Sequence, residues 1–561
     1  MACDKNVNTN DFGVSSITSC TRRSFVASSA MVLAAATGAM ASSVGCAPSG
    51  SGSSASSTQS GEASSSSSAE SAKPTELRAA LDYPAPVAEA SPVGNTRALW
   101  VSAGWHVYEA LYELDYVTYS AHNALAAGEP VQLSDLEFEV ALREEAKFSD
   151  GSAVTAADVV NAFNRDLESA TYASMLSFIA SVVAKDETTV LFTLRYPVGD
   201  LFQRRLSLVK VFPASMTDEE LSTAPRGSGP WQYEPFEGDF AKEISFVPNP
   251  HYNGSVPAQF DRMVWTASSD ANERCDLLID KSVAVCENTP FPRVNDVKNS
   301  SETVEYIQGF GQPFLMFNCR KKPFDDPRVR QAFFYAINVE KLIDDVMDGH
   351  AAPVTSFLPK TFANYHEAST VYSYNPDKAR VLLAEAGVKE LTFTMTVNNN
   401  WVKDLADSIQ SDLNEVGITM ENDESNIDWS ALAPSDDDAI LPFDVVLTPG
   451  DPTCFGADPD LLMSWWYGDN VWTRGRSCWA KAGDGKFEEL QQLLQKAREL
   501  SGDERQNAWN ACFDLIAEEV PLYALFHREV ATGFDESQIG DFEAIGTTGL
   551  MLLGVSPRES S

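Results

Sequence analysis

Apolar and polar positions along this chain follow two periods. From residue 76, short β-branched or aromatic runs alternate with amphipathic stretches, the pattern of α/β layers. The stretch "FEVALREEAKFSDGSAVTAADVVNAFNRDL", residues 138–167, shows both periods. Phe138 to Leu142 alternates as a half-buried strand, and Asp150–Gly151 turns the chain. Thr155 then predicts a helix start, with Asp158 three residues on as its capping-box partner. Val159, Val160, Phe163 and Leu167 give that helix one apolar face.

Other helices have equally readable ends. Asp326 caps and Pro327 opens a helix whose buried stripe is Val329, Phe333, Ala336 and Ile337. Another runs from Asn375–Pro376 to Gly387, and a third places Leu405, Ile409, Leu413 and Val416 on one face before Gly417 stops it. Trp509, Phe513, Ile516 and Val520 line a last helix, which Pro521 breaks. In "GDPTCFGADPDLLMSWWYGDN", residues 450–470, Asp458 and Pro459 start a helix. Trp465 and Trp466 each lie four residues beyond a leucine on it, which places both in a packed wall rather than against a ligand. No internal repeat is visible.

Length changes this picture only in number: 561 residues predict about three domains. With 80 acids against 41 bases the formal charge is −39, which opposes binding to nucleic acid or to an anionic membrane surface.

The first 45 residues read differently. Arg22–Arg23 with Phe25, then a small-residue apolar run ending in "SVGC", predict an export signal resembling the twin-arginine type, although Ala27 stands where lysine is common. The last four residues resemble a bacterial lipobox, with Ser43 in place of the usual leucine, so Cys46 is the expected lipidated N-terminus. Residues 47–74 contain 13 serines in 28 positions, a composition that buries almost nothing. Such a tether has a reach of roughly 30 Å, from about 5–6 Å times √n.

Outside the membrane, cysteines near in sequence are candidates to pair: Cys275 with Cys286, and Cys454 with Cys478. Cys319 and Cys512 are expected to be buried free thiols. No C-x-x-C, G-x-S-x-G, H-E-x-x-H or P-loop motif occurs, and the six histidines are scattered. The expectation is no catalytic residue, no metal site and no cofactor. Arg474 and Arg476 in "WTRGRSCW" are candidates to hold a ligand carboxylate, since guanidinium binds it bidentately.

Seven segments in order, "FSDGSAVTAADVVNAF", "RGSGPWQYEPF…VPNPHYNG", "FNCRKKPFDDPRVRQAFFYAIN", "YNPDKARVLLAEAGV", "DWSAL", "FDVVLTPGDPTCFGADPDLL" and "IAEEVPLYALF", resemble the family 5 extracellular solute-binding proteins of ABC importers. They span about residues 134 to 530. The resemblance implies a two-lobed periplasmic-binding-protein-like α/β fold with an extra subdomain on lobe I. It divides the chain into signal 1–45, tether 46–75, lobe I 76–310 with an insertion at about 101–224, lobe II 311–520 and a return at 521–561. "GFGQP", residues 309–313, is the expected first crossover.

For the site, the resemblance implies that Asp451, with Gly450 before it, takes the α-ammonium of a peptide, and that Trp429 of "DWSAL" lines the cleft. It further implies a monomer on the outer face of the bacterial cytoplasmic membrane, with permease subunits as partners and a peptide or other small solute (sugar or metal chelate) as ligand. The competing class is an anchored extracellular hydrolase using carboxylates, and saturable retention of ligand without turnover separates the two.

Overall fold

Glu76–Leu81 is the strand around which the first sheet is built. It is flanked in parallel by Arg262–Ala267 on one side and Val285–Cys286 on the other, and four of its six residues are buried. The computed structural model describes residues 75–236, 238, 240–398, 401–423 and 443–558, so Cys46 and Trp429 lie outside the described residues. These residues fall in one compact unit, Ala72–Ser561. Among them no helix is long and apolar enough to cross a membrane.

Three sheets organise the unit. The first runs Thr303–Gln308, Phe526–Phe534, Val285–Cys286, Glu76–Leu81, Arg262–Ala267, Glu243–Pro248, Trp231–Tyr233, with Ala351–Pro353 added to Phe526–Phe534. The second has five strands in the order Ile418–Asp423, Leu391–Val397, Val445–Gly450, Gln312–Phe317, Leu522–Ala524. Every residue of Gln312–Phe317 is buried, as a strand covered on both faces must be. A four-stranded antiparallel sheet, Val131–Ser134, Glu137–Ala141, Thr189–Leu194 and Ile179–Ala184, forms the third.

The helix expected after Thr155 spans Ala156–Leu167, and both halves of its capping box are present. It lies on the four-stranded sheet, where Phe163 meets Phe192 edge-on at 5.0 Å. Asp326, Asn375 and Asp458 likewise cap Pro327–Ala336, Pro376–Glu385 and Pro459–Tyr467, each through its side chain.

The chain crosses from the first sheet to the second between Gln308 and Gln312, and returns between Ala524 and Phe526. Pro521 ends the preceding helix, but Leu522–Ala524 still pairs with Gln312–Phe317, so the return falls at Leu525. Close approach explains the glycine at 309: a Cβ there would stand 2.0 Å from the Gly546 carbonyl oxygen. The two crossings are bonded to each other. Arg528 N donates to Gly311 O at 2.8 Å, Gly309 N to Arg528 O at 3.2 Å, and Leu525 N to Pro313 O at 2.9 Å.

Candidate functional site

The carboxyl ends of the parallel strands of the first sheet point toward these crossings, which is where open α/β sheets hold ligands. Asp82 and Tyr83 follow Glu76–Leu81, and Glu287 and Asn288 follow Val285–Cys286. Arg274, from the helix Ala271–Ile279, braces both ends: it donates to the carbonyls of Ser268, Glu287 and Asn288 and lies 3.4 Å from Asp82. Glu287 accepts from the backbone of Asp82 at 2.9 Å and of Gly549 at 2.7 Å. Burial raises the pKa of Asp82 and of Glu287, against the pull of Arg274.

Tyr83 has φ 58°, a left-handed conformation that is a true outlier for a bulky residue. Strain of this kind persists where the surroundings fix it, and it clusters at ligand sites. Burial raises the Tyr83 pKa, as does the neighbouring Asp82 carboxylate.

From the second sheet comes Asp451. Its strand, Val445–Gly450, pairs antiparallel with Gln312–Phe317 so that Gly450 faces Gln312 beside the first crossing. Asp451 Oδ1 accepts from Thr453 N at 3.0 Å and Thr453 Oγ1 at 2.5 Å, and so caps the turn Pro452–Phe455. Oδ2 accepts from Thr548 N at 3.2 Å, and the hydroxyls of Thr453 and Thr547 lie 2.9 Å apart. The carboxylate is half-buried. Burial raises its pKa, opposed by the Thr453 hydrogen bonds and by the Arg528 charge. It therefore both shapes a turn and presents a desolvated negative charge between the sheets.

A cavity of about 540 Å³ adjoins this point. Its walls come from both sides of the crossings: Tyr116, Tyr119, Glu305 and Gln308 among them, with Phe362 and Asp458 opposite. Tyr119 connects the cavity to Asp451, since its hydroxyl lies against Thr453 and Thr547 and feels the Asp451 charge. A second cavity of about 640 Å³, lined by Trp105, Glu109, His122, Arg143 and Tyr252, meets the first at Leu114, Tyr116, Val117 and Glu543.

The remaining candidates are dispersed. Gly450 is required by packing, because a Cβ there would stand 2.8 Å from the Trp466 ring and 2.9 Å from Phe314. Trp466 is buried, stacked on Phe310 at 5.6 Å, and Trp465 is half-buried against Phe455 and Trp472. Arg474 forms a two-pronged pair with Asp469. Arg476 stacks on Trp472 at 4.0 Å, and burial lowers its pKa to about 10. Neither arginine lines either cavity, and neither does Asp451.

All six described cysteines are free thiols. Cys275 and Cys286 touch, thiol to thiol, without forming a disulfide. The expected Cys454–Cys478 pairing is not formed: both are free thiols with different neighbours. Cys454 lies beneath Tyr116, whose hydroxyl donates to its carbonyl at 3.0 Å, while Cys478 sits beside Cys319.

Sequence reasoning missed Tyr83, Thr548 and Arg528. Only Arg528 carried a signal, a charge inside the apolar run "LYALFHREV".

Comparison with known proteins places these observations. The family described as bacterial extracellular solute-binding proteins, family 5 Middle, matches residues 121–484. The glutathione-binding protein GsiB of Escherichia coli (strain K12) is 28% identical over 323 residues, 55% of this chain and 62% of that relative's length. Among solved structures, the periplasmic binding protein DppA of Helicobacter pylori with a bound peptide superposes with TM-score 0.74 at 21% identity, over 87% of this chain and 99% of that one. NikA of Staphylococcus aureus with Ni(L-His)2 gives 0.71 at 18% identity, over 85% and 98%. The fold is that of two-lobed periplasmic binding proteins, and the chain belongs to the bacterial extracellular solute-binding proteins, family 5.

Proposed function

We propose that this chain is the solute-binding component of an ABC importer, tethered outside the cell through Cys46, which captures peptides between two lobes and hands them to the permease. In this reading lobe I starts at residue 76 and carries an insertion at about 101–224. The lobes hinge at Gly309–Gly311 and Leu525, and the protein acts as a monomer.

One observation carries the peptide assignment. Asp451 stands at a strand end between the lobes, half-buried, and is joined through Tyr119 to a cavity of about 540 Å³ that it does not itself line. A desolvated carboxylate attracts an ammonium much more strongly than one in water, and the volume is in the range of small-molecule sites. GsiB, whose name assigns it glutathione, supports a short peptide as the ligand class.

Mass spectrometry of the compound that co-purifies with the protein tests the assignment. A peptide or amino-acid derivative is the expected result. A sugar, or a metal chelate without an amino group, would replace the peptide reading with the non-peptide one. Turnover of the bound compound would favour a hydrolase.

A further inference from the structure

Charges join the side of the four-stranded sheet to the side of the five-stranded one along a single seam. On the first side stands the helix Leu201–Leu206, and on the second the helix Pro459–Tyr467. Among the described residues the Arg205 side chain makes one hydrogen bond to its own side, to the Met175 carbonyl at 3.0 Å. Its other bonds all cross the seam, to Asp458 and Asp460. On that far side Asp458 accepts from Leu461 N at 2.9 Å, and of the two carboxylates Arg498 reaches only Asp460. Two carboxylates there face one local cation, and Arg205 supplies the charge that balances them.

A second arginine crosses in the opposite direction. Arg505, from the helix Gly502–Glu519, is buried and reaches Asp200 Oδ1 at 3.2 Å and the Val198 carbonyl at 3.4 Å, just ahead of the helix Leu201–Leu206. Two tyrosines continue the seam: the Tyr116 hydroxyl donates to the Cys454 carbonyl at 3.0 Å, and Tyr172 meets Phe455 edge-on at 5.6 Å. Charged and hydrogen-bonding groups are each well hydrated when apart, unlike the halves of an apolar core, so a seam built from them opens reversibly. The two-pronged bond from Arg205 to Asp458 also fixes one orientation of the joined faces. Asp458 and Arg204 line the cavity of about 540 Å³, whereas Arg205 and Arg505 line neither cavity.

We infer that this seam is a latch between lobe I and lobe II: Arg205 engages Asp458 and Asp460, and Arg505 engages Asp200, as the lobes close, holding them together at a place the solute does not touch. A solute shifts the balance between open and closed forms only by its differential affinity for the two. A bond that the protein makes with itself in the closed form raises the population competent to hold a solute, and so tightens the binding of every solute alike. The inference rests on the two-lobe division proposed above and is independent of the peptide reading.

Small-angle scattering and amide hydrogen exchange on the purified full-length protein test it. Arg205→Gln should give a larger radius of gyration than wild type. Its amides in Leu201–Leu206 and Pro459–Tyr467 should exchange about tenfold or more faster, while those of the buried strand Gln312–Phe317 keep the wild-type rate. If Arg205→Gln does not fold, Arg505→Gln, which breaks the contacts to Asp200 and Val198, is read in the same way. An unchanged radius, or unchanged exchange along the seam, would overturn the latch and leave the two lobes standing. Exchange that quickens in Gln312–Phe317 as much as along the seam would mean that the two sides do not part as bodies, and would overturn the lobe division and the latch together.

Discussion

Arg205 and Asp458, 253 positions apart, form a two-pronged ion pair at 2.9 and 2.7 Å. Arg205 also reaches Asp460 at 2.7 Å, and Arg498 completes the set by donating to Asp460 at 2.8 Å. Two cations and two anions thus meet, all buried except the half-buried Arg498. Arg205 comes from the helix Leu201–Leu206 beside the four-stranded sheet, whereas both aspartates begin the helix Pro459–Tyr467 beside the five-stranded one. Burial opposes the charge on Arg205, but the two aspartates outweigh it and hold its pKa above the ordinary range.

Breaking such a pair by removing one partner costs about 3–5 kcal/mol, because the other charges stay buried. Arg205→Ala should lower the unfolding free energy in denaturant by that amount. An unchanged value would mean that the pair is open in solution.

Asp451 and Trp466 separate affinity from stability. Asp451→Asn is expected to weaken peptide binding by at least about tenfold, or about 1.4 kcal/mol, with the fold intact. Trp466→Phe removes packing on Phe310 and Phe314, so it should lower the melting temperature with little change in affinity. Calorimetry and thermal unfolding on the two variants decide the matter. A folded Trp466→Phe protein that cannot bind would reverse the division.

Asp166 predicts a pH effect on stability. Burial pushes its pKa from 3.8 to about 8, with only the Gly94 N–H at 2.7 Å and the Arg165 charge opposing. The folded state therefore keeps a proton that the unfolded chain releases near pH 4, so stability is lost as pH rises from about 4 through about 8. Asp166→Asn keeps the acceptor for Gly94 and removes the titration. Its melting temperature should exceed that of wild type at pH 9 and fall less between pH 4 and 8. Parallel pH profiles for the two proteins would refute the assignment.

Cys46→Ala should move the protein from the membrane fraction to the medium, since it removes the expected lipid attachment. Fractionation of cells expressing each form reads this directly, and continued membrane retention would count against a lipid anchor.

Local chemistry made much of the fold legible. Thr155, Asp326, Asn375 and Asp458 act within their own first turn, so their capping roles needed no knowledge of distant residues. Asp451 was singled out by the family resemblance of its segment rather than by local chemistry. What covers it was not readable, because Thr548 arrives from 97 positions away. The Arg205 pair and the strained backbone of Tyr83 arise from tertiary packing, which leaves no periodic trace. Cys454 and Cys478 misled for a related reason: nearness in sequence does not fix which side chains meet in the fold.

The hydrogen bonds between Gly309, Gly311 and Arg528 bear on how the lobes move. Two independent linkers would let each lobe tilt and slide in several directions. Bonded side by side, the two crossings form a narrow ribbon, and in the proposed closure that ribbon would flex as one piece, reducing the motion largely to rotation about a single axis. A torque applied by a solute in the proposed cleft would then be converted into the same angular path, whatever the shape of that solute.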